Sequence, residues 1–212
     1  LICRTDASGS KHEGITMLEV PANAPGMEIR GIQTMGGKEV NDVWFDDVVV
    51  PADNLVGQEG GGWMQLMAGL NVERLIIAAN MLGLAQRAFD DVLAYVKERK
   101  QFGRPIGSFQ VLKHRLADMA TEIECARLLT YDVARRVDAD PTALFPKEAS
   151  MAKIKATEVA KTVTLEGMQM MGGYGYATEY DMEAFVRTAL VSSIYGGTNE
   201  VQREIVSKTL GL

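Results

Sequence analysis

Four short stretches of the sequence hold side chains that can do chemistry. The run Glu98-Arg99-Lys100-Gln101-Phe102-Gly103-Arg104-Pro105-Ile106-Gly107-Ser108-Phe109-Gln110 gathers three cations, two aromatic rings and two glycines. An arginine fork matches phosphate oxygens and a phenyl face stacks on an aromatic ring, so this run suits a ligand that carries both. A solvated basic helix end that complements the helix dipole is the competing reading. The second stretch is Gln169-Met170-Met171-Gly172-Gly173-Tyr174-Gly175-Tyr176. Its glycines let backbone approach a ligand closely, although glycines also serve as ordinary helix caps, and its methionines read as core.

The third stretch, Ile194-Tyr195-Gly196-Gly197-Thr198-Asn199-Glu200, feeds a glycine pair into a helix whose first turn carries Thr198 and Glu200. Free N–H groups at a helix start suit a polar ligand; a capped surface helix explains the same residues. The fourth, Asn71-Val72-Glu73-Arg74-Leu75, sets a carboxylate just ahead of Ile76-Ile77-Ala78-Ala79. An apolar wall disfavours the charged form, which would tune Glu73 upward as a proton acceptor. A solvated glutamate or an interhelical ion pair is the default alternative.

The elements that must position these stretches change period along the chain. Residues 1–56 read as β, with strand-like runs at 15–20, 27–32, 43–45 and 48–50, separated by Gly, Pro and Ser breakers. So few strands leave edges open and call for neighbours. The run Gly60-Gly61-Gly62 reads as the joint, because three glycines cost too much backbone entropy inside a regular element. Beyond it, Leu75, Ala78, Ala79, Leu82, Ala85, Phe89, Val92, Leu93 and Val96 recur at helical spacing. Gly103, Pro105 and Gly107 end that helix, and Ser108 is the expected N-cap of the next, which carries Leu112, Leu116, Met119, Ile123, Ala126 and Val133. A third helix over about 147–171, expected to be the most enclosed, and two short ones near 181–190 and 198–210 complete an antiparallel bundle.

Composition bounds the function classes. The 212 residues hold 22 Lys plus Arg against 28 Asp plus Glu, a net charge of −6, which offers no basic surplus for nucleic acid. A hydrophobic content of 47 % with 24 % charged residues describes a globular chain with a core rather than disorder. No apolar stretch is expected to reach the ~20 residues of a membrane span. The two cysteines, Cys3 and Cys125, read as reduced thiols, and His12 and His114 lack partners at metal-ligand spacing, so no metal is expected. The chain opens at Leu1 directly into strand-like sequence and reads as the later part of a longer polypeptide.

Taken together, the order and spacing of the motifs resemble the acyl-CoA dehydrogenase family, flavoenzymes that convert acyl-CoA to enoyl-CoA. The resemblance rests on Asp46-Asp47-Val48-Val49-Val50-Pro51, on Glu98 to Gly103, on 169–173 and on 195–200, and it covers essentially the whole chain. It implies a mainly α fold: an antiparallel four-helix-type bundle (57–212) preceded by an incomplete β-domain segment (1–56). It also implies FAD as cofactor, acyl-CoA as substrate, an electron-transferring flavoprotein as partner and a homo-oligomer, a tetramer or dimer. A bacterial cytoplasm or a mitochondrial matrix would be the location, and fatty acid β-oxidation the setting. By the same resemblance, Arg99 and Phe102 contact FAD across a subunit interface and Gln110 contacts it too. Gln169, Gly172 and Gly173 receive its adenosine–pyrophosphate portion, and Thr198 and Glu200 touch it near the last helix. Tyr195, Gly196 and Arg74 fall on the substrate side.

The resemblance also bears on the base. Many members carry Glu where this chain has Gly196, which has no side chain to take a proton. Isovaleryl-CoA and long-chain members resemble this chain in having a small residue there and take the base from the first bundle helix, which points to Glu73. The implied reaction has Glu73 remove the α-proton while the β-hydrogen leaves as hydride to flavin N5. Missing the N-terminal half, the chain alone is expected to bind FAD weakly and to lack turnover. A non-catalytic assembly module needing a partner chain and an acyl-CoA oxidase on the same scaffold are the alternatives.

Overall fold

The structure, a computed structural model, describes residues 1–212. The chain divides into two compact units, Leu1–Leu70 and Asn71–Leu212.

In the first unit, β1 (Ile2–Arg4), β2 (Ile15–Leu18) and β5 (Leu55–Val56) form an antiparallel sheet in the order β1-β2-β5. Thr16, 2 % exposed, shares a 2.7 Å hydrogen bond with Thr5 and accepts one from the amide of Gly60 at 2.9 Å. The glycine run is therefore pinned to the sheet rather than free. A β-carbon on Gly62 would stand 2.9 Å from the carbonyl oxygen of Ile15, so only glycine lets the chain pass this close as it enters the first helix. The second sheet is the hairpin of β3 (Met27–Thr34) and β4 (Gly37–Phe45), paired from Met27↔Phe45 to Thr34↔Gly37. Ile29, Val40, Val43 and Trp44 are exposed on it, as expected of a two-stranded ribbon that buries little by itself. The strand expected at Val48-Val49-Val50 does not form. Asp47 adopts φ 48°, which turns the chain out of the extended conformation just before it.

The second unit is helical. It contains the greater part of α1 (Gly62–Glu98), then α2 (Gln110–Ala139), α3 (Pro146–Met171), α4 (Gly173–Tyr176), α5 (Met182–Ser192) and α6 (Asn199–Thr209). Pro146 opens α3, where its missing N–H costs nothing. Helix α3 is the most enclosed, with buried residues from Ala149 to Met171 spread over more than one face. Its small residues admit neighbours closely: a β-carbon on Gly167 would meet Val92 of α1 at 2.7 Å and Met182 of α5 at 3.1 Å. The ion pairs Arg115–Glu166, Glu122–Lys155 and Arg136–Glu148 run in opposite order along α2 and α3, so the two are antiparallel. On α1, Ile77, Ala78, Met81, Leu82, Ala85, Ala88, Val92 and Val96 form the buried stripe. Burying a valine such as Val92 or Val96 contributes roughly 1.5 kcal/mol or more.

Three expectations need correcting here. Ser108 does not cap α2. It ends a 3-10 turn (Ile106–Ser108), Phe109 stands at the cap without a side-chain bond, and the Ser108 hydroxyl is buried without a partner. The one-turn helix α4 forms where only a glycine loop was expected, because Gly172 at φ 62° reverses the chain and lets it rewind. Finally, α1 is long and apolar enough to cross a membrane by length and composition alone, and it carries the buried stripe described above.

Candidate functional site

The second unit brings the candidate residues into two groups. The first lines a cleft of about 840 Å³ formed by the end of α1, the turn before α2, and the junction of α3 with α4. Arg99, Phe102, Gln169, Gly172 and Gly173 all face it, joined by Tyr95, Phe109, Arg115 and Tyr174. The short hairpin β6 (Lys100–Gln101) and β7 (Arg104–Pro105) carries the basic turn. Its tip holds Phe102 at φ 53° with the ring 91 % exposed. A bulky residue in the left-handed region costs of order 1 kcal/mol or more; Phe102 adopts it as the first of the two loop residues of the hairpin, with Gly103 at φ 78° as the second. That ring stands edge-on to Phe109 at 6.1 Å, and Phe109 in turn carries the Arg104 guanidinium at 4.2 Å. Arg99 lies 5.5 Å over Tyr174. A β-carbon on Gly172 or Gly173 would meet nothing within 4 Å, so the backbone there is open to a ligand. Gln110 departs from this group. Its neighbours Phe109 and Val111 line the cleft, but Gln110 itself does not, and its amide lies 3.4 Å from His114.

The second group surrounds the loop before α6. Gly196 and Gly197 have φ of 62° and 82°. A β-carbon on Gly196 would stand 2.3 Å from Ile77 Cδ1 and 3.9 Å from Glu73 Oε1, so Glu73 of α1 sits beside the backbone position at which a side chain is missing. Glu73 is exposed, so the apolar wall expected to enclose it does not bury it. Arg74 is half-buried; its Nη1 donates to Asn71 at 3.0 Å while its Nε is buried without a partner, and burial pulls its pKa down against the pull of Glu73. Burial also pushes the Tyr195 phenol up. Thr198 caps α6 by accepting from the amide of Val201 at 3.2 Å. Hydrogen bonds from its own amide and from Thr198 hold the Glu200 carboxyl below its usual value.

Beneath this loop lies a buried polar network that the sequence reading missed. Lys153 of α3, with no exposed surface, donates to Gly197 O and to Asn199 Oδ1, each at 3.0 Å. Gln202 of α6, also fully buried, donates from Nε2 to Gly196 O at 3.0 Å and Gly197 O at 3.1 Å, while Ser150 donates to its Oε1 at 2.8 Å. Thr157 pairs with Asn199. The signal was present in the sequence: Ser150, Lys153 and Thr157 form a polar stripe at spacings of three and four on an alanine-rich helix.

The helical unit thus carries an arginine-and-aromatic cleft and, apart from it, a carboxylate beside a glycine loop. Residues 60–211 match the family model described as "Acyl-CoA dehydrogenase, C-terminal domain", and the chain belongs to the acyl-CoA dehydrogenase family, whose members are FAD-dependent flavoproteins. It is 41 % identical to the short/branched chain specific acyl-CoA dehydrogenase of Bos taurus over 94 % of the chain and 46 % of that protein. It is 44 % identical to an acyl-CoA dehydrogenase of Bacillus subtilis over 93 % of the chain and 52 % of that protein. The chain thus spans about half the length of the curated relatives it matches. A solved acyl-CoA dehydrogenase from Geobacillus kaustophilus superposes over 100 % of the chain and 56 % of its own with a TM-score of 0.93 at 39 % identity. The cleft fits part of an FAD: cations for the pyrophosphate, aromatic faces for the rings, and glycine backbone that no β-carbon obstructs.

Proposed function

We propose that this chain carries the base and part of the flavin site of an enzyme that dehydrogenates an acyl-CoA thioester between its α and β carbons. The observation that carries the reading is the Glu73–Gly196 juxtaposition. The loop position has no side chain to take a proton, and a carboxylate from α1 stands 3.9 Å from where one would begin. Glu73 is the base that takes the α-proton. Proton removal builds negative charge on the thioester oxygen, and donors aimed at that oxygen are the largest single source of acceleration. The amide N–H groups of Gly196, Gly197 and Thr198 are available for this, since none is used within the protein. Arg74, with an unpartnered Nε, and Tyr195 flank the substrate. FAD, when bound, supplies the hydride acceptor.

Arg99, Phe102, Gln169, Gly172 and Gly173 hold the cofactor at the cleft, Thr198 and Glu200 contact it at the loop, and Gln110 contributes from the first turn of α2. The 195–200 loop and Glu73 are not part of the cleft, which supports a homo-oligomer in which each cleft serves the flavin of a neighbouring subunit. An electron-transferring flavoprotein would then accept the electrons. Oxygen uptake without that protein would instead identify an oxidase.

Glu73→Gln in the flavin-loaded enzyme tests the reading. Turnover should fall by at least about a hundredfold, within the range for a positioned general base, with flavin content unchanged. Retained turnover would place the base elsewhere.

A further inference from the structure

We propose that Lys153 and Gln202 are the positioning residues of the 195–200 loop, which they hold in its working conformation by fixing two successive peptide planes. The proposal rests on the reading of this loop as the substrate-side loop of a dehydrogenase. Three donated hydrogen bonds reach the carbonyls of Gly196 and Gly197 from below: Gln202 Nε2 serves both, and Lys153 Nζ serves the second. A trans peptide points its N–H opposite to its C=O. Drawing the Gly196 and Gly197 carbonyls inward therefore turns the N–H groups of Gly197 and Thr198 away from the interior, and neither makes a hydrogen bond within the protein. Glycines at φ 62° and 82° have no steric reason to prefer this arrangement over its neighbours, so side chains must select it.

The two positioning groups are themselves held. Ser150 donates to Gln202 Oε1, which fixes the carboxamide so that its NH2 faces the loop. Lys153 also donates to Asn199, and the Asn199 amide donates to Ser193 O at 3.0 Å, tying the start of α6 to the end of α5. A β-carbon on Gly197 would stand 2.5 Å from Gln202 Nε2, so the carboxamide fits only against glycine there. Lys153 and Gln202 stand beneath the loop, on the interior side, and act through its backbone.

Gln202→Glu tests the proposal, because it keeps shape and the acceptor for Ser150 while replacing the donor that faces two carbonyl oxygens. In the flavin-loaded protein, hydrogen exchange at the amides of Asn199 and Val201 should speed at least tenfold, while α2 keeps its protection. Turnover should fall tenfold or more in kcat, with KM moving less than threefold. Ser150→Ala, a milder change that frees the carboxamide to turn, should move exchange and kcat in the same direction and serves if Gln202→Glu does not fold. Unchanged exchange at Asn199 and Val201 in the folded variant overturns the positioning role. Faster exchange in a protein whose parent dehydrogenates no acyl-CoA overturns the reaction while the positioning role stands.

Discussion

Ile77 and Gly196 are complementary in shape: the Cδ1 methyl of Ile77 lies 2.3 Å from the point where a β-carbon on Gly196 would stand. The methyl occupies the start of the space that a longer side chain at 196 would need, while Glu73, one turn earlier on α1, supplies the carboxylate. Two costs therefore meet at position 196, the clash with Ile77 and the left-handed backbone at φ 62°. Gly196→Ala should destabilise the protein by about 2–3 kcal/mol, of which roughly 1 kcal/mol is backbone strain. Ile77→Val deletes just the clashing carbon and costs about 1 kcal/mol alone. In the Ile77→Val background, Gly196→Ala should cost only the backbone share, giving a favourable coupling of about 1–2 kcal/mol in a denaturant double-mutant cycle. Strict additivity would mean the clash is absorbed elsewhere.

Phe102 sets stability against binding. Its backbone is in the left-handed region and its ring is 91 % exposed, so the folded chain gains little from it. Phe102→Gly should leave the melting temperature unchanged or raise it, by up to about 1 kcal/mol of stability. The same variant should bind FAD about tenfold more weakly in a fluorescence titration. A large loss of stability with unchanged FAD affinity would make Phe102 a packing residue.

Thr198 separates capping from ligand contact. Its oxygen accepts from the amide of Val201, a bond that aspartate can also make. Thr198→Ala should cost about 1 kcal/mol in thermal unfolding. Thr198→Asp should recover that stability yet weaken flavin binding, since it removes the hydroxyl donor and adds negative charge. Equal flavin affinity in the parent and Thr198→Asp would leave Thr198 with the cap alone.

What the sequence revealed and what it hid follow from range. The buried stripe of α1 and the mainly helical character were legible because they rest on a period within one segment. The gathering of Arg99 and Phe102 with Gln169, Gly172 and Gly173 depends on the packing of α1 against α3, which no local pattern encodes. Ser108 misled because a serine after Arg104-Pro105-Ile106-Gly107 reads as a cap, while the 3-10 turn moved the helix start past it. Val48-Val49-Val50 misled because β propensity says nothing of the turn at Asp47, and the strand has no partner in the chain as folded. Lys153 was passed over because a lone lysine on a helix defaults to solvent. Its burial becomes visible only once Gly197 and Asn199, more than forty residues away, fold over it.

That burial carries a pH signature. Loss of solvent lowers the Lys153 pKa from 10.5 to about 8, with Glu200 pulling the other way. Below pH 8 the ammonium is charged in both the folded and unfolded chain, and the fold bears the cost of burying it. Between about 8 and 10.5 the folded chain gives up this proton while the unfolded chain still holds it, so the unfolded state binds more protons and stability rises with pH. The gain amounts to about 3 kcal/mol at most, several degrees in the melting temperature of a chain this size. Other groups titrate in the same window, so the measurement is the difference between the parent and Lys153→Met, which has no proton to lose. The parent should close on, or overtake, the variant as pH climbs from 7.5 to 10. A difference that stays constant or widens against the parent would show that Lys153 meets water in solution and that its ammonium is not enclosed beneath the Gly196–Gly197 loop.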